Sequence, residues 1–120
     1  MEPSGDDRLK VVNATNHKLS VYYGLDSLPE YPAVNGTEIY LDRLIEIGDT
    51  SSIVVYNLKP WPDFIEKSNN KKLNLFVYNV DSLLIYKNID TLIKRKIYKT
   101  LSYSSEEINS LNWIVVVKDK

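Results

Sequence analysis

The chain has 120 residues, which is enough for one ordinary domain and too few for two. With 43% hydrophobic residues, 26% charged residues and only 4 glycines, the composition excludes a disordered or collagen-like chain. The absence of cysteine excludes disulfides, a thiol nucleophile and a thiolate metal site, and a net charge of −1 argues against a dedicated nucleic-acid binder.

The charges are distributed unevenly along the chain. Residues 1–60 carry 5 basic and 9 acidic side chains, whereas residues 61–120 carry 10 basic and 7 acidic ones. The longest apolar run, at 114–117, is far shorter than the roughly 18 residues that a membrane-spanning helix requires. We therefore expect the chain as it stands to be soluble.

The N-terminal quarter of the chain predicts a leader followed by two strands. Residues 1–8 are polar, turn-rich and without hydrophobic period, which predicts a flexible leader before a single β-rich domain at 9–120. Residues 9–13 and 18–23 are rich in β-branched and aromatic side chains. Because turn-forming residues separate them, they predict the two strands of a hairpin.

A loop and a second hairpin are predicted next. Two prolines, together with Asp26, Ser27 and Glu30, predict a surface loop at 24–34, because each proline removes a backbone donor. Asn35-Gly36 is the strongest hairpin signal in the chain, since a type I′ turn requires positive φ at both central residues. It predicts a turn that joins 33–34 to a strand at 37–41.

The middle of the chain predicts a turn, a helix and two core strands. Gly48-Asp49 marks the turn, and 51–56 reads as a core strand with Ile53 and Val55 on one side. A short helical turn is predicted at 60–67, because proline is tolerated in the first turn of a helix. Residues 73–79 alternate two sets of side chains that are both largely apolar, which predicts a central strand covered on both faces.

The C-terminal part predicts short helical turns at 80–93, arranged around Asn88, and then two strands. Alternation at 97–103 favours a strand over a helix. Residues 112–117 predict the last strand, because four consecutive β-branched residues follow Trp113. We assign Trp113 itself to the core.

A capping box is predicted between these two strands. The Ser104 side chain is placed to accept from the backbone of Glu107, and the Glu107 side chain to return the bond. Ile108 and Leu111 supply the apolar face of the resulting helix.

Together these elements predict a mainly β, single-domain protein with two or three short helical turns. A β-sandwich buries six or seven short strands better than a lone sheet does, and an immunoglobulin-like arrangement is one form of it. An α+β sheet with helices on one face is the alternative.

No catalytic or metal-binding pattern stands out. His17 is the single histidine and lies in a predicted turn, which favours a structural role. Nothing distinguishes a catalytic pair among the 16 acidic residues, and neither a glycine-rich phosphate loop nor an aspartate-rich calcium loop occurs. The sequence therefore predicts no metal and no cofactor.

Two other patterns have an ordinary explanation. Glycosylation sequons begin at Asn13 and Asn35, but both coincide with predicted turns, which favours chance. The basic run 94–96, with Lys99 close behind, could contact a phosphate or an acidic glycan. We interpret it as a solvated strand edge, since such charges discourage aggregation between sheets.

Trp61 and Tyr31 are the candidate ligand-binding residues. Trp61 lies between Pro60 and Pro62, which fix the backbone around a large flat ring; if exposed, the ring would suit stacking on a sugar or packing in a partner's pocket. The alternative is that Trp61 folds back as a lid on the core. Tyr31 lies in the proline-rich loop predicted at 24–34.

The second half of the chain carries a recognisable series of residues. They are Asp90-Thr91-Leu92, Tyr98-Lys99-Thr100-Leu101, Tyr103, Ser105-Glu106-Glu107-Ile108 and Leu111-Asn112-Trp113. The series resembles small lipoproteins of Bacteroides-type bacteria, which end in a strand, a short helix and a Leu-Asn-Trp before the last strand. The segment 73–83, with Asp81-Ser82-Leu83, is similar to the part that precedes this motif, whereas 9–53 matches only loosely.

The resemblance implies a location rather than a chemistry, because no activity is established for that family. Its members are secreted with a signal peptide and a lipid-bearing cysteine, whereas this chain starts at Met1 with neither. We expect Met1 to stand in place of those segments and residues 2–7 to form the tether. Asp6 and Asp7 fit the acidic residues that are associated with surface export in such bacteria.

The sequence thus predicts a non-enzymatic binding or accessory domain of the cell envelope. It would be held at the outer membrane or cell surface by a lipid anchor that this chain does not contain, with an envelope protein or a glycan as its partner and no nucleic acid. One alternative is a carboxylate-dependent glycan hydrolase. Another is a subunit that pairs through an exposed strand edge.

Overall fold

The computed structural model describes residues 6–33, 36–42, 44–54 and 60–119 of the chain. The described residues form seven strands: β1 Lys10–Ala14, β2 Leu19–Gly24, β3 Leu44–Ile45, β4 Thr50–Ser52, β5 Leu73–Asn79, β6 Lys99–Tyr103 and β7 Ile114–Lys118. They also form five helices: α1 Thr37–Asp42, α2 Trp61–Lys67, α3 Val80–Tyr86, α4 Ile89–Lys94 and α5 Ser105–Ser110. Helices account for 30% of the described residues and strands for 32%, so the fold is α+β, with more helix than the mainly β prediction allowed.

The strands are arranged in two sheets. One sheet has the order β4-β1-β7, with β1 antiparallel to β4 and parallel to β7. The other has the order β3-β2-β5-β6 and is antiparallel throughout. The parallel pair β1–β7 departs from the antiparallel sheets of the immunoglobulin arrangement that the sequence left open.

Strand β5 is covered on both faces, as its sequence predicted. Leu73, Leu75 and Val77 belong to one buried cluster, whereas Phe76 and Tyr78 belong to a second. Because successive side chains of a strand point to opposite faces, the two clusters lie on the two sides of the four-stranded sheet.

The first cluster joins the two sheets. The three-stranded sheet contributes three valines, and α2 and α5 contribute further buried side chains: Val11, Val115, Val117, Trp61, Ile65 and Ile108. Trp113 is also in this cluster and only 8% exposed, which confirms its assignment to the core. The helix predicted at 60–67 is confirmed as α2.

The second cluster joins three helices to the other face of the four-stranded sheet. Tyr40 of α1, Leu83 of α3 and Leu92 of α4 are buried there against β5. The turns predicted around Asn88 are confirmed: the Asn88 side chain accepts from the backbone N–H of Asp90 at 2.8 Å and begins α4. Of the three helices in this layer, the sequence predicted α3 and α4 as helical turns and missed α1.

The predicted first hairpin is wrong, because β1 and β2 belong to different sheets. Asn13 at the end of β1 is fully buried, and its Nδ2 donates to the carbonyls of His17 at 2.7 Å and Ile45 at 2.9 Å. Its Oδ1 accepts from the Thr15 amide at 2.9 Å and hydroxyl at 2.6 Å. Since Ile45 is in β3, these hydrogen bonds link the end of β1 to the other sheet and stabilise the turn between the two sheets.

The second hairpin, predicted at Asn35-Gly36, is also wrong on its C-terminal side. Asn35 lies outside the described residues, but the strand predicted at 37–41 is helix α1. The Tyr40 ring stacks on Tyr22 at 4.2 Å and meets Tyr78 edge-on at 5.5 Å. Burial of one side of this segment against β2 and β5 therefore prevails over the local turn signal.

Two of the predicted strands have different bounds in the structure. The core strand expected at 51–56 is the short outer strand β4, with Ile53 partly buried beyond it and residues 55–56 outside the described residues. The predicted last strand starts at Ile114 rather than at Asn112. The loop at 25–33 and the turn at Gly48, whose φ is +83°, are confirmed.

The capping box is confirmed, but the apolar face of its helix is not as predicted. The Ser104 side chain accepts from the Glu107 amide at 3.2 Å, and the Glu107 side chain accepts from the Ser104 amide at 2.7 Å. Ile108 is fully buried, whereas Leu111 is 43% exposed, because it lies in the turn that follows α5.

Residues at the end of the predicted leader contact the domain. The Asp6 side chain accepts from the Trp61 amide at 2.9 Å, and it lies 2.9 Å from the Arg8 guanidinium. Burial opposes ionisation of Asp6, but these hydrogen bonds outweigh it and lower its pKa. The rest of the predicted leader, 1–5, lies outside the described residues.

Replacing Asn13 tests the turn between the two sheets. Asn13→Ala should lower the free energy of unfolding by roughly 2 to 4 kcal/mol, because it removes a donor from the buried Ile45 carbonyl and the acceptor of the buried Thr15 amide and hydroxyl. Asn16→Ala in the same turn, where the asparagine is exposed, should change it by less than about 0.5 kcal/mol. Urea unfolding of both variants is the measurement, and equal effects would contradict the role given to Asn13.

Candidate functional site

A cleft of about 1150 Å³ lies along β2. Its lining comes from β2 itself, the loop that follows it, α1, β3 and the end of β4. The segments concerned include 21–26, 28–30, Tyr40, Asp42 and 51–54. Elements from both sheets and from the helical layer therefore meet at this cleft.

Aromatic rings form much of the wall of the cleft. Tyr22 and Tyr40 stack with their ring centroids 4.2 Å apart, and Tyr23 meets Phe64 edge-on at 5.1 Å. Alternation along β2 directs Tyr22 toward the helical layer and Tyr23 toward the first cluster. The cleft is thus lined by rings that are already fixed in place by packing.

The rim of the cleft combines carboxylates with exposed leucines. Asp26, Glu30 and Asp42 are all exposed, and Leu25 and Leu28 are 48% and 65% exposed. Among the described residues that line the cleft, none is lysine, arginine or histidine. The described part of the lining consequently combines negative charge with apolar surface.

Asp26 is held in its ionised form. The Ser27 amide donates to its carboxylate at 2.7 Å and the Asn69 side chain at 3.1 Å, and these hydrogen bonds lower its pKa. Asp26 is therefore suited to be a fixed negative charge rather than a proton donor.

The structure places the two predicted ligand-binding residues differently. Trp61 is fully buried, and its Nε1 donates to the Ile53 carbonyl at 3.2 Å. The prediction that it stacks on a ligand is wrong, because the ring is enclosed by Tyr23 and Phe64 and covers the core. Tyr31 is 55% exposed and lies in the loop beside the cleft. Its side chain does not line the cleft, so its role in binding stays a prediction.

The remaining candidates lie elsewhere on the surface. His17 Nδ1 is 3.3 Å from Asp81 Oδ2, and both side chains are exposed. Asn13 of the first sequon is fully buried with its amide donating twice, so it is inaccessible to glycosylation in the folded protein. Residues 94–96 of the basic run are all exposed.

The described residues contain neither a metal-binding cluster nor a helix suited to span a membrane. No group of three or more metal-ligating side chains comes together in this part of the chain. In the same residues, no helix has the length and apolarity that crossing a membrane demands.

The sequence did not single out the residues that line the cleft. The acids on the rim are separated in the chain, at Asp26, Glu30 and Asp42, and nothing local indicates that they meet. The signal that was available is the pair of leucines, Leu25 and Leu28, in a loop that directly follows the doublet Tyr22-Tyr23. Apolar side chains in a loop next to strand aromatics indicate a surface that is not simply solvated.

Comparison of the chain with protein-family models, with curated proteins and with solved structures gave no match. The resemblance to small lipoproteins therefore stays a prediction.

Burial of Tyr40 in the wall of the cleft should make the free energy of unfolding depend on pH. Burial, together with the nearby Tyr22 and the carboxylates of Asp90 and Glu30, raises the pKa of Tyr40 to about 12. In the unfolded chain a tyrosine loses its proton near pH ~10. Between these pH values the unfolded state binds fewer protons than the folded state. The contribution of Tyr40 to stability is therefore fully present below pH ~10 and is lost as the pH rises toward its folded pKa.

Removing the Tyr40 hydroxyl should make the free energy of unfolding less dependent on pH. Between pH ~10 and ~12, the free energy of unfolding should fall less steeply for Tyr40→Phe than for the wild-type protein, as measured by urea unfolding at a series of pH values. Burial also raises the pKa of Tyr78, so part of the fall should persist. As a control, Tyr31→Phe alters an exposed ring, and its free energy of unfolding should fall with pH as steeply as that of the wild type. An equally steep fall for Tyr40→Phe would contradict the burial of Tyr40.

Proposed function

We propose that the chain is a non-enzymatic binding domain whose cleft takes a positively charged, partly apolar segment of a partner protein. The observation that carries this proposal is the lining: the partly exposed Tyr22 and Tyr23 and three carboxylates, with no basic side chain among the described residues of the cleft. Cations are attracted both to carboxylates and to the faces of aromatic rings. The exposed Leu25 and Leu28 would cover apolar parts of the same segment.

The size of the cleft favours a peptide over a small metabolite. Its volume of about 1150 Å³ exceeds the ~300–1,000 Å³ of ordinary small-molecule pockets. Preformed aromatic walls lower the entropy cost of ordering a flexible segment, because the protein side of the interface is already fixed.

We further propose that the domain acts in the cell envelope as a lipid-anchored accessory protein, with an envelope protein as its partner. The support is the resemblance of the second half of the chain to small lipoproteins. The first cluster, which contains residues from both sheets, supports a finer description of the fold as a β-sandwich with an added layer of helices.

The two alternative functions receive less support. The general acid of a glycan hydrolase needs a raised pKa, whereas hydrogen bonds lower the pKa of Asp26. Pairing through a strand edge is open to β3, β4, β6 and β7, which end their sheets among the described strands. The mass of the protein in solution at several concentrations would reveal such pairing.

A charge-reversal experiment tests the cleft directly. A labelled lysine–alanine peptide should bind the wild-type protein, as followed by fluorescence anisotropy, and a glutamate–alanine peptide should not. Glu30→Lys combined with Asp42→Lys should weaken binding of the lysine–alanine peptide by about tenfold or more, because two attractive contacts become repulsive.

The matched control reverses two exposed acids that do not line the cleft. Asp63→Lys combined with Glu106→Lys makes the same change in net charge and should leave the affinity within about twofold of the wild type. Equal losses for both double variants would mean that the peptide responds to net charge alone. Preferential binding of a neutral oligosaccharide over the lysine–alanine peptide would contradict the proposed ligand class.

A further inference from the structure

Three consecutive large apolar side chains are exposed at the C-terminal end of α3, away from the cleft. Leu84 is 55% exposed, Ile85 73% and Tyr86 39%. The opposite side of the same helix carries Val80 and Leu83, which are buried. The exposed side is therefore not needed for the core, and a contiguous apolar group on a soluble surface indicates a contact site.

Four basic residues accompany this apolar group. Lys87 follows α3 directly, and Lys94, Arg95 and Lys96 are at the end of α4; all four are exposed. The Arg95 guanidinium lies 5.6 Å from the centre of the Tyr86 ring, and this contact brings the ends of the two helices together. We call Leu84, Ile85, Tyr86 and these four cations the basic–apolar patch.

No acid among the described residues forms an ion pair with the cations of the patch. None of the ion pairs found within the described residues involves Lys87 or 94–96. The acids of the two helices lie in their first turns, and both have other contacts: Asp81 with His17, and Asp90 with the Ala33 amide at 2.7 Å. The patch therefore presents positive charge around protruding apolar side chains.

We propose that the basic–apolar patch docks on an anionic lipid surface. Leu84 and Ile85 enter the boundary between headgroups and acyl chains, while the lysines and Arg95 contact lipid phosphates. Charge complementarity favours this occupant. A protein partner would require about 800 Å² of surface on each side for a stable interface, which three apolar side chains at a helix end do not supply.

This inference does not depend on the proposed function of the cleft or on a lipid anchor. The docking surface is formed by α3 and α4, whereas the cleft is lined by neither helix. The experiment accordingly uses the chain without an acyl group, so that a lipid anchor contributes nothing to the binding.

The test is co-sedimentation of the protein with vesicles of phosphatidylcholine alone or of an equal mixture of phosphatidylcholine and phosphatidylglycerol. We expect binding to the mixed vesicles that exceeds binding to the neutral ones by about tenfold or more and weakens as salt is added. Lys94→Gln with Lys96→Gln, and separately Leu84→Ser with Ile85→Ser, should each reduce binding to the mixed vesicles by about tenfold.

Matched controls alter the same residue types elsewhere on the surface. Lys72→Gln with Lys118→Gln changes two exposed lysines, and Ile47→Ser with Leu111→Ser changes two exposed apolar side chains. Both should bind the mixed vesicles as the wild type does. Circular dichroism of each variant would confirm that it is folded before its binding is compared.

Three outcomes would overturn the inference. The first is equal binding of the wild type to both vesicle types, or to neither. The second is loss in the control variants as large as in the patch variants. The third is sensitivity to the lysine changes alone, with displacement by inorganic phosphate, which would identify a simple anion site rather than a lipid surface.

Discussion

The structure depends on one constraint, which is that strand β5 is apolar on both faces. Leu73 to Tyr78 are all buried, and a strand of this kind has to be covered on each side. The three-stranded sheet with α2 and α5 covers one face, and α1, α3 and α4 cover the other. The order of the layers follows from this requirement, with β2 and β6 as the neighbours of β5 in the same sheet.

The cleft follows from the same arrangement. Strand β2 lies beside β5 and shares its two faces, but β3 pairs only with Leu19 and Ser20 of β2. The following residues of β2 line the cleft, where Tyr22 faces the helical layer and Tyr23 the layer between the sheets. Rings that complete the two hydrophobic clusters are thus also the walls of the candidate binding site, so the fold and the site share the same aromatic side chains.

The sequence predicted those features that depend on neighbouring residues and missed those that depend on distant ones. The two-sided pattern of 73–79 and the capping box at Ser104 are local, and both predictions are confirmed. The hairpin prediction at 9–23 is wrong because hydrogen bonds from the buried Asn13 side chain to His17 and to Ile45 of the other sheet redirect the chain. The cleft could not be predicted, because its three acids and its rings come from segments that only the tertiary fold brings together.

Hydrogen exchange of the backbone amides, resolved by residue with NMR, tests the central role of β5 most directly. If β5 is the doubly covered strand, its paired amides at 75–78 should exchange only through global unfolding, with protection equal to the free energy of unfolding. The amides of the outer strand β4 should exchange faster through local opening. Exchange of β5 as fast as that of β4 would contradict the layered arrangement and, with it, the cleft that this arrangement creates.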